Sequence, residues 1–107
     1  MRKLYVVKTT REFNDVITNG NCRKNKYFVV HQKKNDLKYD RFGISVSKKL
    51  GNAVFRNLYK RKIRSMIDNY KKDYNNQTDY IIILRKASLS KTHEELEKEL
   101  FSLLQND

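Results

Sequence analysis

Residues 41–64, R-F-G-I-S-V-S-K-K-L-G-N-A-V-F-R-N-L-Y-K-R-K-I-R, change their hydrophobic period half-way along and so decide the fold. From Arg41 to Ser47, Phe42, Ile44 and Val46 alternate with Arg41, Gly43, Ser45 and Ser47, the pattern of a strand with one buried face. The other face carries small or polar groups that a ligand can approach. Beyond Asn52 the period lengthens. With a step of about 100° per residue, Phe55, Tyr59, Ile63, Met66, Ile67 and Tyr70 share one arc of a helix. Gly51 allows a tight turn between the two elements, and Asn52 is placed to cap the helix start, where free N–H groups favour a nearby anion. The turn is neither a P-loop nor a dinucleotide-binding loop, since it lacks G-K-S/T and G-x-G-x-x-G.

Arg56, Asn57, Lys60, Arg61 and Arg64 fill the arc beside the apolar one, and Asp68 is the only acid between Lys48 and Lys72. Like charges on neighbouring helical turns repel, so an exposed helix ordinarily mixes signs. A solvated basic face is one reading of this stripe and phosphate recognition is the other. The missing acids, the Arg and Asn content and the S-V-S-K-K-L-G-N lead-in favour phosphate.

Outward from this stretch the order reads helix, two strands, helix, strand, helix. Thr9 and Glu12 form a capping box, Phe13, Val16 and Ile17 share one helical face, and Gly20 ends the helix. Lys26 to His31 reads as a strand, joined to Arg41–Ser47 by the polar loop Gln32 to Asp40. Tyr80 to Leu84 is a continuous apolar run, expected of a central strand covered on both faces. The tail is an amphipathic helix with a second capping box at Thr92 and Glu95 and a stripe of Leu96, Leu100, Leu103 and Leu104. Its acids lie near the helix start, where the dipole favours them, so Glu94, Glu95, Glu97, Glu99 and the neighbouring His93 read as structural. No repeat, proline or linker divides residues 1–107, which read as a single domain.

The chain has a formal charge of +12 and is 38% hydrophobic, the composition of a folded protein with a polyanionic partner. Residues 1–91 hold 23 Lys and Arg against seven Asp and Glu, whereas residues 92–107 hold one Lys against five acids. The body of the domain is therefore the basic part. No apolar run spans a bilayer and no secretory leader is apparent at the N-terminus, so no membrane role is expected. A lone Cys22 makes no intrachain disulfide and no cysteine zinc cluster, in keeping with a reducing cytoplasm.

S-V-S-K-K-L-G-N-A-V-x-R-N-x-x-K-R-x-x-R, Ser45 to Arg64, resembles the central motif of the bacterial ribonuclease P protein subunit, the basic partner of the catalytic RNA that trims 5′ leaders from precursor tRNA. The early E-F before Gly20, the K-Y-F-V-V segment and the D-Y-I-I-I segment follow in that family's order, so the likeness covers nearly the whole chain. It implies an α+β fold: a single-domain α/β sandwich of order α-β-β-α-β-α, ribosomal protein S5 domain 2-like, with a left-handed βαβ crossover. It also implies roles. Lys48, Lys49, Asn52, Arg56, Asn57, Lys60, Arg61 and Arg64 are expected to face the catalytic RNA. Phe13, with Ile17, His31, Arg41 and Ser45, is expected to line a cleft for the single-stranded leader of precursor tRNA.

The chain departs from the family pattern in three places. Leu58 stands where many members have a cation, but it lies away from the Arg56, Lys60, Arg64 arc. Ile17 and His31 stand where many have cleft aromatics. Isoleucine offers a base contact area without a π face, while His31 reads equally as a stacking ring or as a structural strand histidine.

A nuclease needs a convergent acid/base pair or carboxylates holding a metal. Glu12, Asp15, Asp36, Asp40, Asp68, Asp73 and Asp79 are scattered along the sequence, and no catalytic site is expected in the polypeptide. The implied enzyme is ribonuclease P, an endonuclease acting in tRNA processing as a ribonucleoprotein. Its protein would bind no cofactor alone, the RNA subunit would use Mg²⁺, and no further protein partner is required. A stand-alone basic RNA-binding module and a basic structural protein of the ribosome are the alternatives that composition leaves open.

Overall fold

The computed structural model describes residues 6, 7, 9–70 and 77–105. Along them run α1 (Thr10–Asn19), β1 (Asn21–Lys24), β2 (Phe28–Lys34), β3 (Arg41–Ser45), α2 (Ala53–Tyr70), β4 (Thr78–Leu84) and α3 (His93–Gln105), with 3-10 turns at Lys48–Leu50 and Lys86–Ser90. The strands form one sheet in the order β1-β2-β4-β3, antiparallel except for the parallel pair β3 and β4. Those parallel neighbours are joined through α2, which makes it the helix of a βαβ unit. Expectations placed on the first five residues, Lys72, Asp73 and Asp107 fall outside the described residues.

Side chains alternate along each strand, so the sheet has two distinct faces. Phe28, Val30, Phe42, Tyr80, Ile82 and Leu84 pack with Ile63, Met66 and Ile67 of α2 and with Leu96, Leu100, Leu103 and Leu104 of α3 to form the larger core. On the other face α1 contributes Val16, which packs with Val7 and Ile81, while Phe13 and Ile83 lie half-buried beside them. β4 is thus covered on both sides, as its unbroken apolar run requires.

The helix ends form for local reasons. Thr9 Oγ1 accepts from the Glu12 backbone N–H at 3.1 Å, and the Glu12 side chain accepts from Thr9 N–H at 3.3 Å. Asn52 Oδ1 accepts from Phe55 N–H at 2.9 Å at the start of α2. Thr92 and Glu95 repeat the reciprocal cap on α3, at 2.9 and 3.2 Å.

The observed order contains one strand more than the sequence reading. β1 has little apolar patterning of its own, and its pairing with β2 makes it a strand. β2 also starts later and runs farther than expected, into the supposed loop, because Gln32–Lys34 pair with Thr78–Tyr80. β3 stops at Ser45, and Ser47 instead caps the following turn by accepting from Lys49 N–H at 3.1 Å. Gly51 is needed for space rather than for a special backbone: at φ 169° it is extended, but an added Cβ would stand 2.5 Å from Phe55 Cδ1.

Candidate nucleic-acid interface

The rotation of α2 is set by its buried residues, Ile63, Met66 and Ile67, with Phe55 and Tyr59 half-buried and 4.7 Å apart between ring centroids. That setting leaves Asn57, Arg61 and Arg64 exposed and Arg56 and Lys60 half-buried. Lys48 and Lys49 are exposed on the turn that leads into the helix, and Asn52, also exposed, holds its cap. Among the described residues none of Lys48, Lys49, Arg56, Lys60, Arg61 and Arg64 pairs with a carboxylate, whereas Lys33, Arg41 and Lys91 do. Lys62 departs from the stripe, with its ammonium 4.8 Å from the Tyr59 ring centroid. Leu58 is exposed, as the helical count places it.

The second surface is the α1 side of the sheet. Cross-strand register arranges its residues in rows: Lys33, Asp79 and Arg41; then Cys22, His31, Ile81 and Gly43; then Lys24, Val29, Ile83 and Ser45. The Phe13 ring passes over Gly43 and Ile81 in the middle row. Val29, Ile83 and Ser45 in the last row remain half-exposed beside it, and Ile17 keeps 37% of its surface. Phe13, His31 and Ser45 therefore share one face, bordered by Ile17 on the helix. Val29 and Ile83 belong to this floor although sequence reasoning passed over them. The alternation Ile81, Ile83 was visible, but a run apolar on both faces does not reveal which face is left partly uncovered.

Arg41 lies on the same face but is occupied. Its Nε and Nη2 donate to the two carboxylate oxygens of Asp79 at 3.0 and 2.7 Å, and Nη1 donates to Glu12 Oε2 at 2.7 Å. These contacts raise the guanidinium pKa further, Asp79 contributing most. Arg41 in turn lowers the Glu12 pKa. Lys33 holds Asp15 likewise and, with the Asn19 amide, lowers its pKa. Four of the acids scattered in sequence, Glu12, Asp15, Asp36 and Asp79, thus come to line one pocket of about 280 Å³ with Lys33 and Arg41. Three of the four, Glu12, Asp15 and Asp79, are paired there with Arg41 or Lys33. Among the described residues no group of three or more His, Cys, Asp or Glu is disposed to hold a metal ion.

A family model described as Ribonuclease P matches residues 1–106. The chain belongs to the ribonuclease P protein family. The ribonuclease P protein component of Streptococcus pneumoniae is 40% identical over 104 residues, covering 97% of this chain and 85% of that protein. A solved RNase P protein from Staphylococcus aureus is 35% identical, with a TM-score of 0.86 over 94% of this chain and 93% of that one. The RNase P protein of Thermotoga maritima is 28% identical, with a TM-score of 0.80 and 94% of each chain covered. Membership makes this chain the protein component of ribonuclease P, the endonuclease of tRNA 5′ maturation, in place of the stand-alone and ribosomal alternatives.

In this ribonuclease P protein the buried side-chain polar atoms left without a hydrogen bond, among the described residues, are His31 Nδ1 and Arg56 Nε. A buried unsatisfied polar group costs about 1–3 kcal/mol. One such atom lies on the basic helix and the other on the α1 face of the sheet. No helix among the described residues is long and apolar enough to cross a membrane.

Proposed function

We propose that this ribonuclease P protein uses its two surfaces for two RNAs. Lys48, Lys49, Asn52, Arg56, Asn57, Lys60, Arg61 and Arg64 face the catalytic RNA. Phe13, Ile17, His31 and Ser45, over the floor of Val29 and Ile83, receive the 5′ leader of precursor tRNA. The observation that carries this reading is the cationic stripe of α2, which has no carboxylate partner among the described residues. Cations without internal partners are neutralised most effectively by phosphates, with release of the counterions condensed on the RNA.

Arg41 is left out of the direct leader contacts, because Asp79 and Glu12 already take its fork. Phe13 and Ile17 supply apolar contact to bases, and His31 supplies a ring. Bond cleavage is assigned to the RNA subunit and the Mg²⁺ it uses, and the protein positions substrate. Residues 1–107 act as one ribonuclease P protein domain. The place of action is the cytoplasm, in keeping with Cys22, which is exposed and free.

Reconstitution tests the reading. Added to the catalytic RNA, the protein should lower the Mg²⁺ concentration needed to remove the leader from precursor tRNA. Tight RNA binding with no change in that requirement would refute it.

A further inference from the structure

We propose that Glu12 and Asp79 are positioning residues for the leader site, acting through Arg41. The inference rests on the reading of the α1 face as that site. α1 has a thin apolar seat, since Val16 is its one buried residue. What fixes the start of the helix on the sheet is a chain of charges. Asp79, in the central strand β4, holds two nitrogens of the Arg41 guanidinium in a bidentate pair, with the side chains only 9% and 13% exposed. The third nitrogen reaches Glu12, at 2.7 Å. The other Glu12 oxygen accepts from Thr9 Oγ1 at 3.0 Å, so one carboxylate closes the helix cap and ties it to the sheet.

The geometry links this tie to the cleft. Phe13 follows Glu12 directly, and its ring lies over Gly43, two residues along β3 from Arg41 and therefore on the same face. The Arg41–Glu12 contact thus limits both the slide of α1 along β3 and its rotation, and these two motions set how Phe13 and Ile17 meet the open row of Val29, Ile83 and Ser45. A bidentate arginine pair suits the task, because its planar fork allows little angular freedom.

Electrostatics and positioning predict opposite signs, which makes the proposal testable. Glu12→Gln removes a negative charge from a protein of net charge +12 and, by charge alone, should strengthen binding to any RNA. It can keep the cap acceptor while turning an amide N–H toward Arg41. Wild type, Glu12→Gln, Asp79→Asn and Phe13→Ala are each assembled with the catalytic RNA, and affinities for precursor and mature tRNA are measured with the melting temperature. The expected result for Glu12→Gln and Asp79→Asn is a loss of about three- to tenfold for precursor tRNA with mature tRNA bound as well as before or slightly more tightly.

If Phe13→Ala is selective for the precursor but Glu12→Gln leaves precursor affinity unchanged or raises it, the positioning role is overturned and the leader reading stands. If Phe13→Ala weakens both RNAs equally, the leader reading itself fails. Equal losses for both RNAs in Glu12→Gln with a lowered melting temperature mark a purely structural tie, and also overturn the proposal. Glu12 is partly exposed, so its variant serves should Asp79→Asn fail to fold.

Discussion

Phe13 rests on Gly43: a Cβ added to that glycine would stand 2.6 Å from Phe13 Cε2 and 2.8 Å from Ile81 Cδ1. The missing side chain is the space into which the first helix settles. Gly43→Ala should therefore displace the ring, costing about 1–3 kcal/mol as an overpacking change. Affinity for precursor tRNA should fall more than affinity for mature tRNA. Denaturant melts and paired binding titrations check both, and an unperturbed variant would show that Phe13 has room to yield.

The basic stripe makes a separate prediction. Replacing Arg56, Lys60 and Arg64 together with Ala should weaken binding to the catalytic RNA and reduce the salt slope by about one unit per lost phosphate contact. The fold should survive, because the buried side of α2 is Ile63, Met66 and Ile67. Unchanged affinity and slope in a folded triple variant would move the RNA-facing surface elsewhere.

The acids of α3 are expected to be structural. Glu95 caps its own helix, and Glu97 accepts from Asn69 Nδ2 at 3.0 Å, so these carboxylates are engaged within the protein. Changing Glu94, Glu95, Glu97 and Glu99 to Gln should leave leader cleavage nearly intact, with stability losses of a few tenths of a kcal/mol per helix-start charge. A large fall in turnover with normal folding would reveal a carboxylate role.

Acid should loosen α1. Arg41 depresses the Glu12 pKa and Lys33 depresses that of Asp15. A carboxylate whose folded pKa is lowered adds stability that is fully present above its unfolded value, about 4 for these residues, and is lost as pH falls through the folded value. The melting-temperature gap between wild type and Glu12→Gln should therefore be constant above about pH 5 and shrink below about pH 4. A gap that persists into stronger acid would mean that the charge of Glu12 does not contribute.

What the sequence made legible was local. The caps at Thr9, Asn52 and Thr92 depend on residues three apart, and the buried arcs of α2 and α3 depend on helical period. What it concealed depends on distant pairing. β1 becomes a strand through its register with β2. Arg41 occupies the face that strand alternation assigns it, but its partners lie 29 residues before it and 38 after, so its engagement shows only in the folded chain. The half-exposed row of Val29 and Ile83 was hidden for a similar reason, since the reach of α1 across the sheet is a tertiary fact.

The arrangement of the sheet bears on the protein before it finds its RNA. β1 and β3 are the outer strands. β1 is only four residues long and carries Arg23 and Lys24, while β3 is met along its free margin by Val6 and Val7, whose contacts include a 2.9 Å bond from Val7 N–H to the Phe42 carbonyl. Exposed sheet margins are templates on which another chain can add a strand, and short length, charge and covering segments each blunt them. Here one margin is guarded by brevity and charge and the other is partly closed by the chain's own N-terminal segment. Newly made copies can thus wait for their nucleic acid with little tendency to join one another strand to strand.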